Sequence, residues 1–153
     1  MKFEKCTKPS FVVIGKLGST KEGSGFIQKL WQEANGLFDE VADLAKRDDQ
    51  GRLVGIWGAM SDFKLQFQPW ENFQDGYYLA GVECRDDTVA PAGWTKWVIP
   101  GFEYRYVKVD QDYDFQEAVN ELRKSNLQIV GAVHDFTLPT TGENYVFFPI
   151  KKL

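Results

Sequence analysis

The apolar positions along the chain change period several times, and each change marks an element. The run "SFVVIGKL" at 10–17 is continuous and β-branched, as in a strand buried in a sheet. From Phe26 the spacing becomes helical: Phe26, Ile27, Leu30, Trp31, Ala34, Leu37, Phe38, Val41, Leu44 and Ala45 recur at intervals of three and four. The pattern predicts one long helix capped by Ser24, weakened at Gly36 and ended by the turn "RDDQG" at 47–51. Two strands follow, "RLVGIWGAM" at 52–60 and "YYLAGVEC" at 77–84, separated by a polar and aromatic loop.

The second half repeats this order. "GFEYRYVKV" at 101–109 is a strand, Asp114 and Glu117 have the spacing of a capping box, and Phe115, Ala118, Val119 and Leu122 share one face of a shorter helix. "LQIVGAVHDF" at 127–136 and "NYVFFPIKK" at 144–152 complete the unit. "LVGIW" at 53–57 and "IVGAV" at 129–133 hold the same place in their halves, directly after the helix. The expected fold is therefore α+β, a tandem β-α-β-β repeat in a single domain over 1–153, with one unit at about 8–85 and the other at about 97–152. Such units pair their strands in a shared antiparallel sheet, with both helices on one face and the other face left to be covered by loops or by a ligand.

Composition narrows the function. At 153 residues and 43% hydrophobic, the chain can build one full core. A net charge of -4, a pI near 5.1 and the absence of any basic run argue against direct nucleic-acid binding and against an anionic membrane surface. No apolar run approaches the roughly 20 residues of a membrane span, and the start "MKFEKCTKPS" lacks an apolar secretion segment, so a cytoplasmic protein is expected. Cys6 and Cys84 are far apart and His134 is the one histidine, so no structural metal is expected, and Cys84 reads as a packed thiol. "GSTKEGSG" at 18–25 lacks the Gly-Lys-Ser/Thr ending of a phosphate loop, and no cofactor is expected.

One residue breaks the pattern. Alternation puts Glu83 with Tyr77, Leu79 and Gly81 on one face of its strand, and Tyr78, Ala80, Val82 and Cys84 on the other. The second set suits helix packing, so Glu83 should face away from the helices, with Gly81 leaving room beside it. Tyr104 and Tyr106 in "EYRY", and Tyr145 and Phe147 in the final strand, have the parity to share that face. A desolvated carboxylate needs hydrogen bonds, a cation or a proton. Aromatic faces add roughly 0.5–2 kcal/mol of attraction for a cation. Together these residues suit a flat, apolar, positively charged molecule. The alternative is that Glu83 reaches water, or pairs with Arg85 or Arg105, and binds nothing.

The pattern "YYLAGVEC", a Pro-containing loop with "IPGFEYRYVKV", then "GAVHDF" and "YVFFPIKK", resembles the GyrI-like small-molecule-binding domain over nearly the whole chain. That domain is also the effector-binding part of multidrug-responsive regulators of the MerR and AraC types. The resemblance implies a tandem β-α-β-β fold with a ligand cleft between the repeats that accepts amphipathic aromatic, often cationic, compounds over an acid. By it, the acid of the family's Gly-Val-Glu strand falls on Glu83, and the aromatic after Ile-Pro falls on Tyr104. Many members also have an acid four residues before the proline of the last strand. Tyr145 stands there instead, with Glu143 two residues earlier on the same face. The regulators' helix-turn-helix has no counterpart here, so a stand-alone binding domain, monomeric or weakly homodimeric, is expected. Some stand-alone members hydrolyse the cyclopropane of DNA-alkylating natural products, a role in which Glu83 would handle water and Tyr104 would donate a proton. The family name suggests a third role, inhibition of a protein partner such as DNA gyrase. Binding without turnover is the leading expectation.

Other aromatics offer themselves as lining. Trp57 is in register with Leu53 and Gly55, and Gly58 beside it would admit a flat ligand; core packing is the alternative. Trp94 and Trp97 fall in the Pro/Gly-rich "APAGWTKWVIPG", read as a loop whose tryptophans line the pocket. Trp70 and Phe73 lie in the insertion of the first unit, as a lid or a satellite cluster. Trp31 is core. His134 and Asp135 are adjacent in a strand, so they face opposite ways and make no dyad; His134 reads as a structural hydrogen-bonding residue.

Overall fold

Eight strands pair antiparallel in the order β1-β6-β8-β7-β3-β4-β2-β5, in a computed structural model that describes all 153 residues. The elements are β1 (Glu4–Lys8), β2 (Phe11–Ser19), α1 (Phe26–Gly36), β3 (Ile56–Ser61), β4 (Tyr77–Cys84), β5 (Thr95–Ile99), β6 (Phe102–Lys108), α2 (Phe115–Lys124), β7 (His134–Thr137) and β8 (Asn144–Lys152). The two β-α-β-β units appear in the strand order as β2-β4-β3 and β6-β8-β7, reversed relative to each other and joined where β3 meets β7, with Trp57 opposite Phe136. The fold is α+β, as the periodicity predicts.

The outer strands close the sheet on itself. β1 precedes β2 but pairs with β6, and β5 precedes β6 but pairs with β2. Only Pro9 and Ser10 link β1 to β2, so Lys8 and Phe11 are three Cα steps apart, at most about 11 Å. Strands at opposite ends of the order are thus drawn together, and the sheet must curl into a concave surface. Both helices lie on the other face. Leu30 and Ala34 of α1 pack with Val12, Ile14, Tyr78, Ala80, Val82 and Cys84. Ala118, Val119 and Leu122 of α2 pack with Val107, Val146 and Phe148. The small and apolar parity of β4 is therefore the helix side.

Several local expectations need correction. The first helix ends at Gly36; Phe38–Glu40 and Ala42–Leu44 are short 3-10 turns, which keep Val41 buried and preserve an apolar spacing that mimics helix. Ser24 does not cap it. Gly25 holds that position at φ 84°, while Ser19 and Glu22 form a capping box one turn upstream. Asp114 does cap α2, accepting from the Glu117 N–H at 2.9 Å. Residues 129–133 are not a strand: Val130 N–H donates to the Pro149 carbonyl and Ala132 N–H to that of Phe67, so β7 starts only at His134. The loop around Trp97 is in part β5, bounded by Gly93 and Pro100, and β1 is a strand that its exposed composition concealed.

Candidate functional site

Most of the expected lining residues do meet on the concave face. Trp57, Leu79, Trp97, Tyr104 and Phe147 are buried there together, with Tyr77, Tyr106 and Tyr145 at their margin. The rings interlock: Trp57 lies 4.9 Å from Phe11, 4.7 Å from Phe136 and 5.2 Å from Phe147, and Tyr106 stacks on Phe147 at 4.8 Å. Glu83 is 3% exposed. Its Oε1 accepts from Trp57 Nε1 at 3.0 Å and its Oε2 from Lys8 Nζ at 3.1 Å. Lys8 Nζ also stands 4.5 Å from the Phe11 ring centre and 5.8 Å from that of Trp57. Glu83 is thus paired with the chain's own Lys8 among aromatic rings, and neither Arg85 nor Arg105 is its partner.

Two expected contributors, Gly81 and Trp94, do not serve this face, and neither does the acid two residues before Tyr145. Gly81 makes no room for a ligand: a Cβ there would come within 2.4 Å of the Ile14 carbonyl oxygen, and one at the opposed Gly15 within 2.4 Å of that of Ala80. The pair lets β2 and β4 approach. Trp94 is on the helix face, where Lys16 Nζ lies 4.3 Å from its ring and its Nε1 donates to Glu40 at 2.8 Å. Glu143 is bound to Lys108 at the surface.

The unexpected feature lies behind the sheet. Between the two units a cavity of about 180 Å³ is lined by Met60, Trp70, Phe73, Tyr113, Phe115, Val133, Asp135 and Val146. Asp135 is its one charged group, and the strand register explains how it is held. Gly58 sits opposite Asp135, and a Cβ at Gly58 would come within 1.9 Å of the Tyr78 hydroxyl. The missing side chain, which was expected to admit a ligand to Trp57, instead lets Tyr78 reach across β3 and donate to Asp135 Oδ2 at 3.1 Å. Trp31 Nε1 donates in turn to the Tyr78 oxygen at 3.1 Å. Burial pushes the Asp135 carboxyl up to about 6, opposed by the Tyr78 bond. At neutral pH the group is ionised yet poorly solvated.

His134, one residue away, points to the opposite side as alternation requires. Its Nδ1 accepts from the Met60 N–H at 3.0 Å, which leaves the proton on Nε2, and complete burial pushes its pKa down to about 3. It is a neutral structural group. Cys84 is buried, with its thiol pushed up to about 11 by desolvation, and is inert. Taken with His134 as half of a dyad, Asp135 offers no site, because adjacent strand residues face opposite ways. The signal that singled out Glu83, an acid inside an apolar strand, applies equally to Asp135 in "GAVHDF". No cluster of His, Cys, Asp and Glu suited to a metal occurs, and no helix is long and apolar enough to cross a membrane.

Comparison with known proteins gives likeness at the level of fold. No family model matches the sequence, and no curated protein matches it. Solved structures do. The chain is similar to SAV2435 bound to tetraphenylphosphonium, at 15% identity and a TM-score of 0.64, with 99% of this chain and 94% of that one covered. It is similar to the EcmrR C-terminal domain at 13% identity and a TM-score of 0.61, covering 99% and 98%. An integron cassette protein from the mobile metagenome of Vibrio cholerae matches at 13% identity and a TM-score of 0.53, covering 97% and 95%. The shared fold agrees with the GyrI-like effector-binding resemblance.

Proposed function

We propose that the protein is a GyrI-like receptor for small amphipathic aromatic cations, bound in the cavity between the two units with Asp135 as counter-charge. The observation that carries this reading is a contrast among three acid–aromatic sites. Lys8 neutralises Glu83, and Lys16 stands against Trp94 and 3.5 Å from Glu33. Asp135, with Trp70, Phe73, Tyr113 and Phe115 around it, is given no cation by the chain. A desolvated carboxylate without a counter-ion is stabilised by any cation that can enter. A fold neighbour that is bound to tetraphenylphosphonium supports the same chemistry.

Size sets the class of ligand. A cavity of about 150 Å³ suffices for benzene, so the space beside Asp135 takes about one aromatic ring with its ammonium group. Larger dyes require Trp70 and Phe73 to swing out. Their segment is already strained, with Leu65, Phe67, Asn72 and Phe73 at φ of 54–58°. The test is fluorescence titration with phenethylammonium and its neutral counterpart phenethyl alcohol. Asp135→Asn keeps an acceptor for Tyr78 and removes the charge. It should weaken the ammonium ligand about ten- to a hundredfold, the worth of a charge-assisted contact, and leave the alcohol within a few-fold. Equal affinity of wild type and Asp135→Asn for the cation would overturn the reading.

A further inference from the structure

Within the receptor reading above, on which this rests, we infer that the cavity selects ammonium ions that carry N–H groups, and that Tyr113 rejects quaternary cations by offering a second acceptor beside Asp135. Of the eight lining side chains, Asp135, Tyr113 and Trp70 carry nitrogen or oxygen. Trp70 Nε1 donates to the Tyr77 carbonyl at 2.9 Å and is closed to a guest. One oxygen of Asp135 is likewise engaged. Trp31 Nε1 occupies the Tyr78 oxygen at 3.1 Å, so the Tyr78 proton is directed to Asp135 Oδ2, also at 3.1 Å. Asp135 Oδ1 and the Tyr113 hydroxyl are left, and neither bonds the other or any other group of the chain. Both stay reachable, unlike the sealed and unpartnered Tyr104 hydroxyl, Arg105 Nη1 and His134 Nε2.

A carboxylate among aromatic rings does not by itself discriminate, since charge and ring faces attract a quaternary ammonium as well as a primary one. A phenol does. Burial, and after it the Asp135 charge, pushes the Tyr113 hydroxyl above the usual phenol range, so it is protonated and uncharged at neutral pH. Its oxygen accepts from an N–H, and its own proton keeps water to donate to, because Tyr113 also lines an open groove with Asp110 and Glu117. An ammonium with two N–H groups bridges Asp135 Oδ1 and the Tyr113 oxygen. A quaternary ion strips both oxygens of water and returns no hydrogen bond, the loss by which hydrogen-bonding sites reject analogues. Volume acts in the same direction: about 180 Å³ holds one ring and a short amine, and three added methyl groups crowd Met60, Val133 and Val146.

The test is a methylation series: phenethylammonium and its N-methyl, N,N-dimethyl and N,N,N-trimethyl forms, titrated by fluorescence at pH 7 into wild type and Tyr113→Phe. Steric cost rises with each methyl and is common to both proteins, whereas the hydrogen bonds are lost in steps. In wild type the primary and N-methyl ions should bind alike, and affinity should fall about tenfold at the N,N-dimethyl ion, which keeps one N–H for Asp135. In Tyr113→Phe the first two ions should lose about tenfold and the drop at the third should vanish, while the trimethyl ion binds both proteins within about twofold. The variant should melt with wild type, since the hydroxyl has no partner in the chain to lose. The same profile in both proteins, or a wild type that binds the trimethyl ion as tightly as the primary one, overturns the selection. Asp135→Asn keeps the two failures apart. If it weakens all four ions while Tyr113→Phe leaves the profile unchanged, the selection alone falls; if it changes none of the four, the receptor reading falls and takes the selection with it.

Discussion

Adjacent residues His134 and Asp135 show how a single strand divides structural from functional chemistry. His134 has a folded pKa near 3 against 6.5 when exposed, so between those values the unfolded chain holds a proton that the folded one refuses. Stability from this group is complete above pH 6.5 and is lost as the pH falls toward 3. Asp135 works the other way. Its folded pKa near 6 exceeds the 3.8 of an exposed aspartate, so the folded chain holds the extra proton and stability falls as the pH rises between them. The ionised acid is therefore a permanent burden at neutral pH, of the kind that binding sites carry. Asp135→Asn is expected to stabilise the protein by about 1–3 kcal/mol at pH 7, with the gain gone below pH 4. Urea unfolding at pH 7 and pH 4 checks it, and a gain of equal size at both would contradict the assignment. His134→Gln should flatten the acid-side loss. Affinity for ammonium ligands should fall below pH 6 as Asp135 takes up its proton.

At the scale of elements, strong local signals were legible and weak ones were not. α2 announces itself through Asp114, Glu117 and an apolar face at Ala118, Val119 and Leu122, and all of these act as expected apart from the return half of the capping box. Replacing Asp114 with Ala should cost about 1 kcal/mol, lowering the melting temperature by roughly 2–4 °C without changing ligand affinity. Loss of affinity with that small loss of stability would mean that α2 shapes the cavity more closely than its lining by Phe115 suggests. β1 escaped notice because "EKCTK" is exposed and makes its contribution through one edge and one lysine. β5 escaped because its glycine and proline boundaries read as loop. The long first helix was overdrawn because 3-10 turns bury Val41 much as a helix would. The face of Glu83 followed from parity alone. Its partner Lys8 lies 75 residues away and is brought there only by the crossing of β1 to β6.

In the whole molecule, the cavity beside Asp135 lies at the short junction of the two halves. β3 and β7 meet over three registered pairs, Ile56 with Thr137, Trp57 with Phe136 and Gly58 with Asp135, whereas β2 and β4 share eight. The lining draws Met60, Trp70 and Phe73 from the first unit and Tyr113, Phe115, Val133, Asp135 and Val146 from the second. A ligand there touches both units and must be released when they part. Linkage then makes it a staple: at a hundredfold excess over its Kd it stabilises the joined state by about 2.7 kcal/mol. The gain should be uneven, because amides that open by separation of the units feel all of it and those that fray within one unit feel little. Hydrogen exchange with saturating phenethylammonium should slow the amides of 56–60 and 134–137 by about a hundredfold and leave those of β1 near their free rates. Uniform slowing across β2, β4, β6 and β8 with no excess at the seam would show that the ligand stabilises a single cooperative body, and that the junction of β3 and β7 is not where the molecule yields.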